Sequence, residues 1–357
     1  MIAGGMTMHD KPMRDEEARR ELKAELDAYH IHIQQPDDPP LFTKVPHSSM
    51  QPVHWKAADL KVLLRKIGEG LNIDSGGNRR TLRLANPGLP YGTTPTFWCS
   101  IQYILPGEVA GAHRHQANAM RFIMEGTGAR STVNGENYPF GEGDLVLTPN
   151  WTWHDHTHEG AEPMVWLDVL DISLVRSLHA TFFEMHPGDV QPVGEVSQRS
   201  YMEYGSGLMR PAHPCGYGRS NPLLAYPYDI ARTAIERASG LPSDPYDDTV
   251  LEYQNPAGGG AVTDTLGVRL LRLRPGFSGA ARRHTGSKVY YVVQGAGKSL
   301  VAGQAFDWGK GDFLSIPPWA LHAHAVAEGG ERAILLEIND LPAITKLGFY
   351  REDLSGN

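Results

Sequence analysis

The chain has 357 residues, with 33 basic and 41 acidic side chains, a net charge of −8 and 41% hydrophobic residues. That length suits two domains of ordinary size. The charge balance excludes a generally basic nucleic-acid binder, and no apolar run approaches the roughly 18 residues that span a bilayer. The two cysteines, Cys99 and Cys215, exclude a disulfide scaffold and fit a reducing cytoplasm. The opening segment has neither the basic region nor the apolar core of a signal peptide.

Residues 13–31 combine strong helix formers with charge pairs such as Glu17 and Arg20, a turn apart, and predict a helix with a thin apolar stripe. Residues 35–53 carry Pro36, Pro39, Pro40, Pro46 and Pro52 and predict an extended connector. Residues 56–71 predict a second helix that stops near Gly68 and Gly70. Residues 1–78 are therefore read as a helical arm and connector. The texture then changes. Gly and Pro together make about 18% of the chain, against roughly 12% on average, and here they punctuate short strands such as TLRLA, FWCSIQYIL, MRFIMEG, DLVLTP and MVWLDVLDI. Residues 79–172 read as one β domain and 248–345 as another, with VRLLRLRPG, VYYVVQGAG, DFLSIPP and AILLEIND. A linker, 173–247, contains the helical segment YDIARTAIERASG, and 346–357 form a tail.

The two β domains repeat each other. Asn86-Pro87 matches Asn255-Pro256, Pro106-Gly107 matches Pro275-Gly276, and the Gly126/Gly128 turn matches Gly295/Gly297. Gly143-Asp144 matches Gly311-Asp312, Pro149-x-Trp151-x-x-His154 matches Pro317-x-Trp319-x-x-His322, and Asp168 matches Glu337. Anchors this numerous, holding one spacing to within a residue, predict a duplicated domain.

The chemistry concentrates in the first repeat, as Gly107-x5-His113-Arg114-His115 followed by Gly143-x5-Pro149-x-Trp151-x-x-His154. On a strand, His113 and His115 project from one face, and His154 on a later strand closes a triangle. Three neutral imidazoles suit Fe(II), Zn, Cu or Ni and leave open coordination positions. In the second repeat Arg282 stands where His113 would be, while His284 and His322 remain. A fixed cation repels a metal, so this domain is expected to hold none and to act as scaffold and interface.

These paired motifs resemble those of the cupin superfamily, and the duplication resembles a bicupin. The implied fold is all-β dominated: two double-stranded β-helix (jelly-roll) barrels, with an N-terminal helical arm and helical linker segments. Cupins usually place a Glu shortly after the histidine pair, whereas Gln116-Ala117-Asn118 stand here. PGEVAGAHRHQANAMRFIMEGTG followed by GDLVLTPNWTWHDHTHEG resembles gentisate 1,2-dioxygenases and their salicylate and 1-hydroxy-2-naphthoate dioxygenase relatives. That resemblance implies one Fe(II) per subunit at His113, His115 and His154, with O2 opening the ring of a small aromatic acid between its carboxyl-bearing and hydroxyl-bearing carbons. It places Arg121 and Arg79 on the substrate carboxylate and Gln102 and Trp98 beside the ring. His156 is expected as an acid–base group, Asp168 as its partner or Arg121's, and His158 as an exposed loop residue. Gentisate is the leading substrate, with salicylate, 5-substituted salicylates and 1-hydroxy-2-naphthoate as alternatives, and the side chains around Trp98, Cys99, Ser100 and Gln102 are expected to decide among them. A non-enzymatic small-molecule-binding bicupin and a metal-dependent sugar isomerase are further alternatives, the latter opposed by the missing carboxylate ligand. The resemblance also implies a cytoplasmic homotetramer without nucleic-acid or membrane partners.

Overall fold

The structure, a computed structural model, describes residues 16–34, 38–70, 80–214 and 216–354, with side chains from residue 18. The chain divides into two units, Met1–Val45 and Pro46–Asn357. In the first, helix α1 (Glu16–Ala28) carries a Lys23–Asp27 pair at 2.9 Å, one turn apart on an exposed face.

The second unit opens with β1 (His54–Trp55) and α2 (Ala57–Gly70). There follow β2 (Thr81–Arg83), β3 (Trp98–Ile104), β4 (Val109–His115), β5 (Ala119–Glu125) and β6 (Ala129–Val133). Next come β7 (Glu136–Phe140), β8 (Leu145–Thr148), β9 (His154–His158), β10 (Met164–Leu170), α3 (Ile172–Ser177) and β11 (Phe183–Met185). After α4 (Arg199–Tyr204) the series begins again with β12 (Ala225–Tyr226), α5 (Tyr228–Ala238), β13 (Thr249–Glu252), β14 (Gly267–Leu273) and β15 (Arg283–His284). It continues through β16 (Lys288–Gln294), β17 (Ala296–Val301), β18 (Gln304–Gly309), β19 (Phe313–Ile316), β20 (His322–Ala325) and β21 (Ala333–Asn339) to α6 (Leu341–Lys346) and β22 (Glu352–Asp353). The repetition is therefore wider than the sequence motifs: β1 and α2 correspond to β12 and α5, and α3 and β11 to α6 and β22.

Each repeat forms a two-sheet barrel. The first packs a six-stranded sheet, β12-β8-β5-β10-β3-β2, on a five-stranded one, β11-β4-β9-β6-β7. The second pairs the sheet β1-β19-β16-β21-β14-β13 with the ribbons β18-β17-β20 and β15-β22. The leading strands cross over: β1 edges the second barrel and β12 the first. Residues expected in an N-terminal arm and in a linker thus complete the opposite barrel. The recurring Gly-Asp corner explains the exchange. Asp312 accepts the Ala57 N–H at 2.7 Å and bonds His54 at 2.8 Å, while Asp144 accepts the Tyr228 N–H at 2.9 Å. Each corner carboxylate so satisfies an orphan N–H at the start of the other repeat's helix.

Strands buried on both faces read as near-continuous apolar runs. One face of β3, β5 and β10 (Cys99, Ile101, Phe122, Leu167) packs against Leu270, Tyr291 and Leu336 of the second barrel, with Leu64 and Ile235 from the two helices. The rings of the equivalent residues Phe122 and Tyr291 meet edge-on at 5.8 Å. The opposite face turns into the first barrel, where Ile104, Ile123, Phe140 and Trp166 fill one end. The polar residues Ser100, Arg121, Thr148 and Asp168 neighbour one another across β3, β10, β5 and β8. No helix among the described residues is long and apolar enough to cross a membrane.

Candidate metal centre and substrate pocket

β4 departs from regular pairing just before its histidines. Its register against β9 shifts between Ala110 and His113, a bulge that brings His113 directly opposite His154. The displaced backbone is not left bare, because Ala112 bonds to Asp189 O and His186 N at 2.8 and 2.9 Å. The Pro149-x-Trp151-x-x-His154 motif supplies the other wall. Trp151 adopts a left-handed φ of 56° and donates its N–H to His115 O at 2.8 Å. Trp319 repeats this with φ 64° and a 2.7 Å bond to His284 O. A strained non-glycine conformation held in both copies locks the turn to the histidine strand.

The three histidines converge. Ring centroids lie 4.3 Å apart for His113 and His154, 4.7 Å for His115 and His154, and 5.5 Å for His113 and His115. Their ligand atoms all fall within 4.8 Å of one another. Nδ1 of each faces a backbone carbonyl: Gly111 and Ala117 at 2.8 Å, and Thr152 at 2.9 Å. Those acceptors assign the ring hydrogen to Nδ1 and leave the lone pair on Nε2, the form a metal takes. His154 Nε2 is buried with no hydrogen-bond partner. Burial, then the neighbouring His115 and His113 and the charge of Arg121, hold His154 well below the usual histidine range, so it stays neutral. This donor set fits a divalent transition metal with open positions.

Arg121 faces the triad from the other sheet, since the chain turns between β4 and β5. It is 2% exposed, pairs with Asp168 at 2.9 Å and donates to Thr148 Oγ1 at 3.0 Å. Burial lowers its pKa and Asp168 opposes that shift. Trp166 Nε1 donates to the same carboxylate at 3.2 Å. Gln102 is buried, with Nε2 lacking a partner. The Trp98 ring packs against that of Tyr91 at 4.1 Å, tilted by 40°, and lies under Arg83 at 5.0 Å. His156 is fully buried, 5.8 Å from His154 between ring centroids, with Nδ1 bonded to Ser131 Oγ at 2.6 Å.

Two expectations need correction. Cys99 does not border the pocket: strand alternation turns it into the core between the barrels, where burial pushes its thiol pKa up. His158 is not an exposed loop residue, because β9 carries it inside, bonded to Glu162 O at 2.7 Å. Arg79 and Cys215 lie outside the described residues. Phe183 is a neighbour the motifs did not reveal. It arrives on β11, opposite His115, and its ring lies 5.4 Å from that of His113. The signal that points to it is the place of β11 in the repeat, paired with β4.

The fold and the histidine triad define a two-barrel protein with, among the described residues, one candidate metal centre of the cupin type. The Cupin domain model matches residues 100–170 and 269–339. The chain is 36% identical to a 5-aminosalicylate 1,2-dioxygenase of Comamonas sp. over 93% of this chain and 91% of that protein. It is 32% identical to gentisate 1,2 dioxygenase 1 of Aquipseudomonas alcaligenes over 97% and 99% of the two chains. The crystal structure of salicylate 1,2-dioxygenase from Pseudoaminobacter salicylatoxidans, with gentisate, superimposes with a TM-score of 0.86 at 32% identity, covering 98% of this chain and 97% of that one. The chain belongs to the family of bicupin ring-cleaving dioxygenases and is a dioxygenase.

Proposed function

We propose that this dioxygenase opens 2-hydroxybenzoates that carry an electron-donating 5-substituent, gentisate first, using one Fe(II) held by His113, His115 and His154. The observation that carries the reading is the buried Arg121 on the wall facing the three converging histidines. When bound, the iron supplies a Lewis-acidic centre at which an anionic chelating substrate and O2 meet. Arg121, already oriented by Asp168 and Thr148, offers its remaining guanidinium hydrogens to the substrate carboxylate. Gln102 offers its unpartnered amide to a substrate oxygen. Trp98 borders the ring and Arg79 adds a second cation. His156, held by Ser131, exchanges the proton of the reacting hydroxyl. A 5-hydroxyl lies para to that hydroxyl and feeds electrons into the bond that breaks.

A second reading, 5-aminosalicylate, is supported by the relative at 36% identity; an amino group donates electrons from the same position. The same reading describes a cytoplasmic homotetramer that acts on a small aromatic acid and O2, with no nucleic-acid or membrane partner. The test is O2 uptake by protein loaded anaerobically with Fe(II), against gentisate, 5-aminosalicylate, salicylate and 1-hydroxy-2-naphthoate. The expected order puts gentisate highest in kcat/KM. A clear preference for the amine selects the second reading, and no uptake with any of the four overturns the proposal.

A further inference from the structure

The second barrel has its own cavity at the place corresponding to the metal centre. It measures about 140 Å³ and is lined by Arg269, Arg282, His284, Lys288, Tyr350 and Glu352, among others. Three of those six side chains are cations, and Asp247, Glu337, Glu252 and Glu352 lie within 4.0 Å of them. Arg282 is paired with Asp247, and Lys288 with Glu337 at 3.0 Å. Arg269 is left with Glu337 at 3.6 Å and Glu252 at 3.8 Å, beyond hydrogen-bond reach.

His284 adds a directed donor. Its Nδ1 accepts the Gly286 N–H at 3.1 Å, so the neutral ring carries its hydrogen on Nε2, and that atom is buried without a partner. Burial, then Lys288, holds the ring neutral. The chain's end closes the place over: β22 pairs with β15, and the Tyr350 ring lies nearly parallel to His284 at 6.3 Å.

We propose that this cavity is a binding site for a small monocarboxylate. The fork of Arg269 matches a carboxylate's two oxygens, and the His284 Nε2–H and Lys288 lie beside it. Glu352, partly exposed at the mouth and 4.0 Å from Arg282, disfavours a second negative charge on the ligand. At about 140 Å³ the cavity suits a small ligand, and its mostly charged and polar lining gives the ring of a benzoate little to pack against.

The test uses metal-loaded, full-length protein, with acetate and pyruvate titrated calorimetrically against chloride at matched ionic strength. Saturable binding is expected, unaffected by saturating benzoate. Arg269→Met is expected to weaken it at least tenfold. So is Thr345→Trp, which blocks the mouth from an exposed position on α6 without touching the core. Ring-cleavage activity in Thr345→Trp should stay within twofold of the parent. Absence of saturable binding overturns the proposal, as does competition by benzoate or unchanged affinity in Thr345→Trp. The last variant decides the matter even if Arg269→Met fails to fold.

Discussion

Replacing Asp168 with Asn removes one charge from the pocket wall at nearly constant volume. Arg121, 2% exposed, then keeps only Thr148 as a side-chain acceptor. The amide makes matters worse. Trp166 Nε1 donates to Asp168 Oδ2, so the Asn oxygen is held there and its NH2 turns toward the Arg121 Nε, donor against donor. Removing one partner of a buried pair costs about 3–5 kcal/mol, because the other charge stays buried and uncompensated. Urea unfolding of the metal-free protein should show a loss of that size for Asp168→Asn. Benzoate, whose carboxylate replaces the missing counter-ion, should restore more stability to the variant than it adds to the parent. The double variant Arg121→Met/Asp168→Leu should recover to within about 1–2 kcal/mol of the parent, since apolar replacement of a buried pair is often neutral. It should also lose benzoate binding. A double variant as unstable as the single one would refute the charge argument and leave packing as the cause.

His154→Ala should reduce bound iron to well below one per chain by elemental analysis, whereas His322→Ala should leave the iron content of the parent. Equal losses would mean that the second barrel also takes metal. Stability should depend on acid in a definite direction. Burial holds His154, His284 and His322 well below their ordinary value and pushes His324 down to about 3. The unfolded chain therefore takes up these protons first, near pH 6.5. Stability of the metal-free protein is full above that pH. It falls as pH drops, by up to about 1.4 kcal/mol per pH unit for each ring, and for His324 the fall continues toward its folded value. His324→Gln should lower the slope by one proton in urea titrations between about pH 6 and 4, and an unchanged slope would count against this assignment.

The convergence of the three histidines was the most legible part of the chain because their spacing encodes geometry directly. His113 and His115 share a strand face, and the Pro-x-Trp turn returns His154 to them. The duplication was legible for a similar reason: Gly, Pro and Asp at corners have conformational or capping duties that tolerate few substitutes. The exchanged strands were not. His54–Trp55 and Ala225–Tyr226 are two residues each, too short for any period to register, and their place is set by Asp312 and Asp144, far away in sequence. Cys99 was misplaced because β3 is buried on both faces, so alternation distinguishes two interiors rather than inside from outside. Phe183 was not legible because its place beside His113 depends on β11 pairing with β4 across a long connection.

The two barrels also show why residue identity alone does not make a metal site. His115 and His284 are equivalent residues on equivalent strands, yet their Nδ1 atoms meet opposite backbone groups. Nδ1 of His115 faces the Ala117 carbonyl at 2.8 Å, whereas that of His284 accepts the Gly286 N–H at 3.1 Å. The first arrangement leaves a lone pair on Nε2 and the second a hydrogen. Lys288, fully buried, adds a cation close enough to lower the pKa of both His284 and His322. Arg282→His would therefore restore the three-histidine pattern but not the donor set. It would also strand Asp247, whose partner is Arg282. In a His154→Ala background, where the first site is silent, Arg282→His should take up less than about a tenth of an equivalent of Fe(II) or Zn(II) near neutral pH, as expected when metal affinity requires deprotonated, pre-oriented ligands. Stoichiometric binding by that double variant would show that the backbone partner of His284 exchanges readily, and that Arg282 alone keeps the second barrel free of metal.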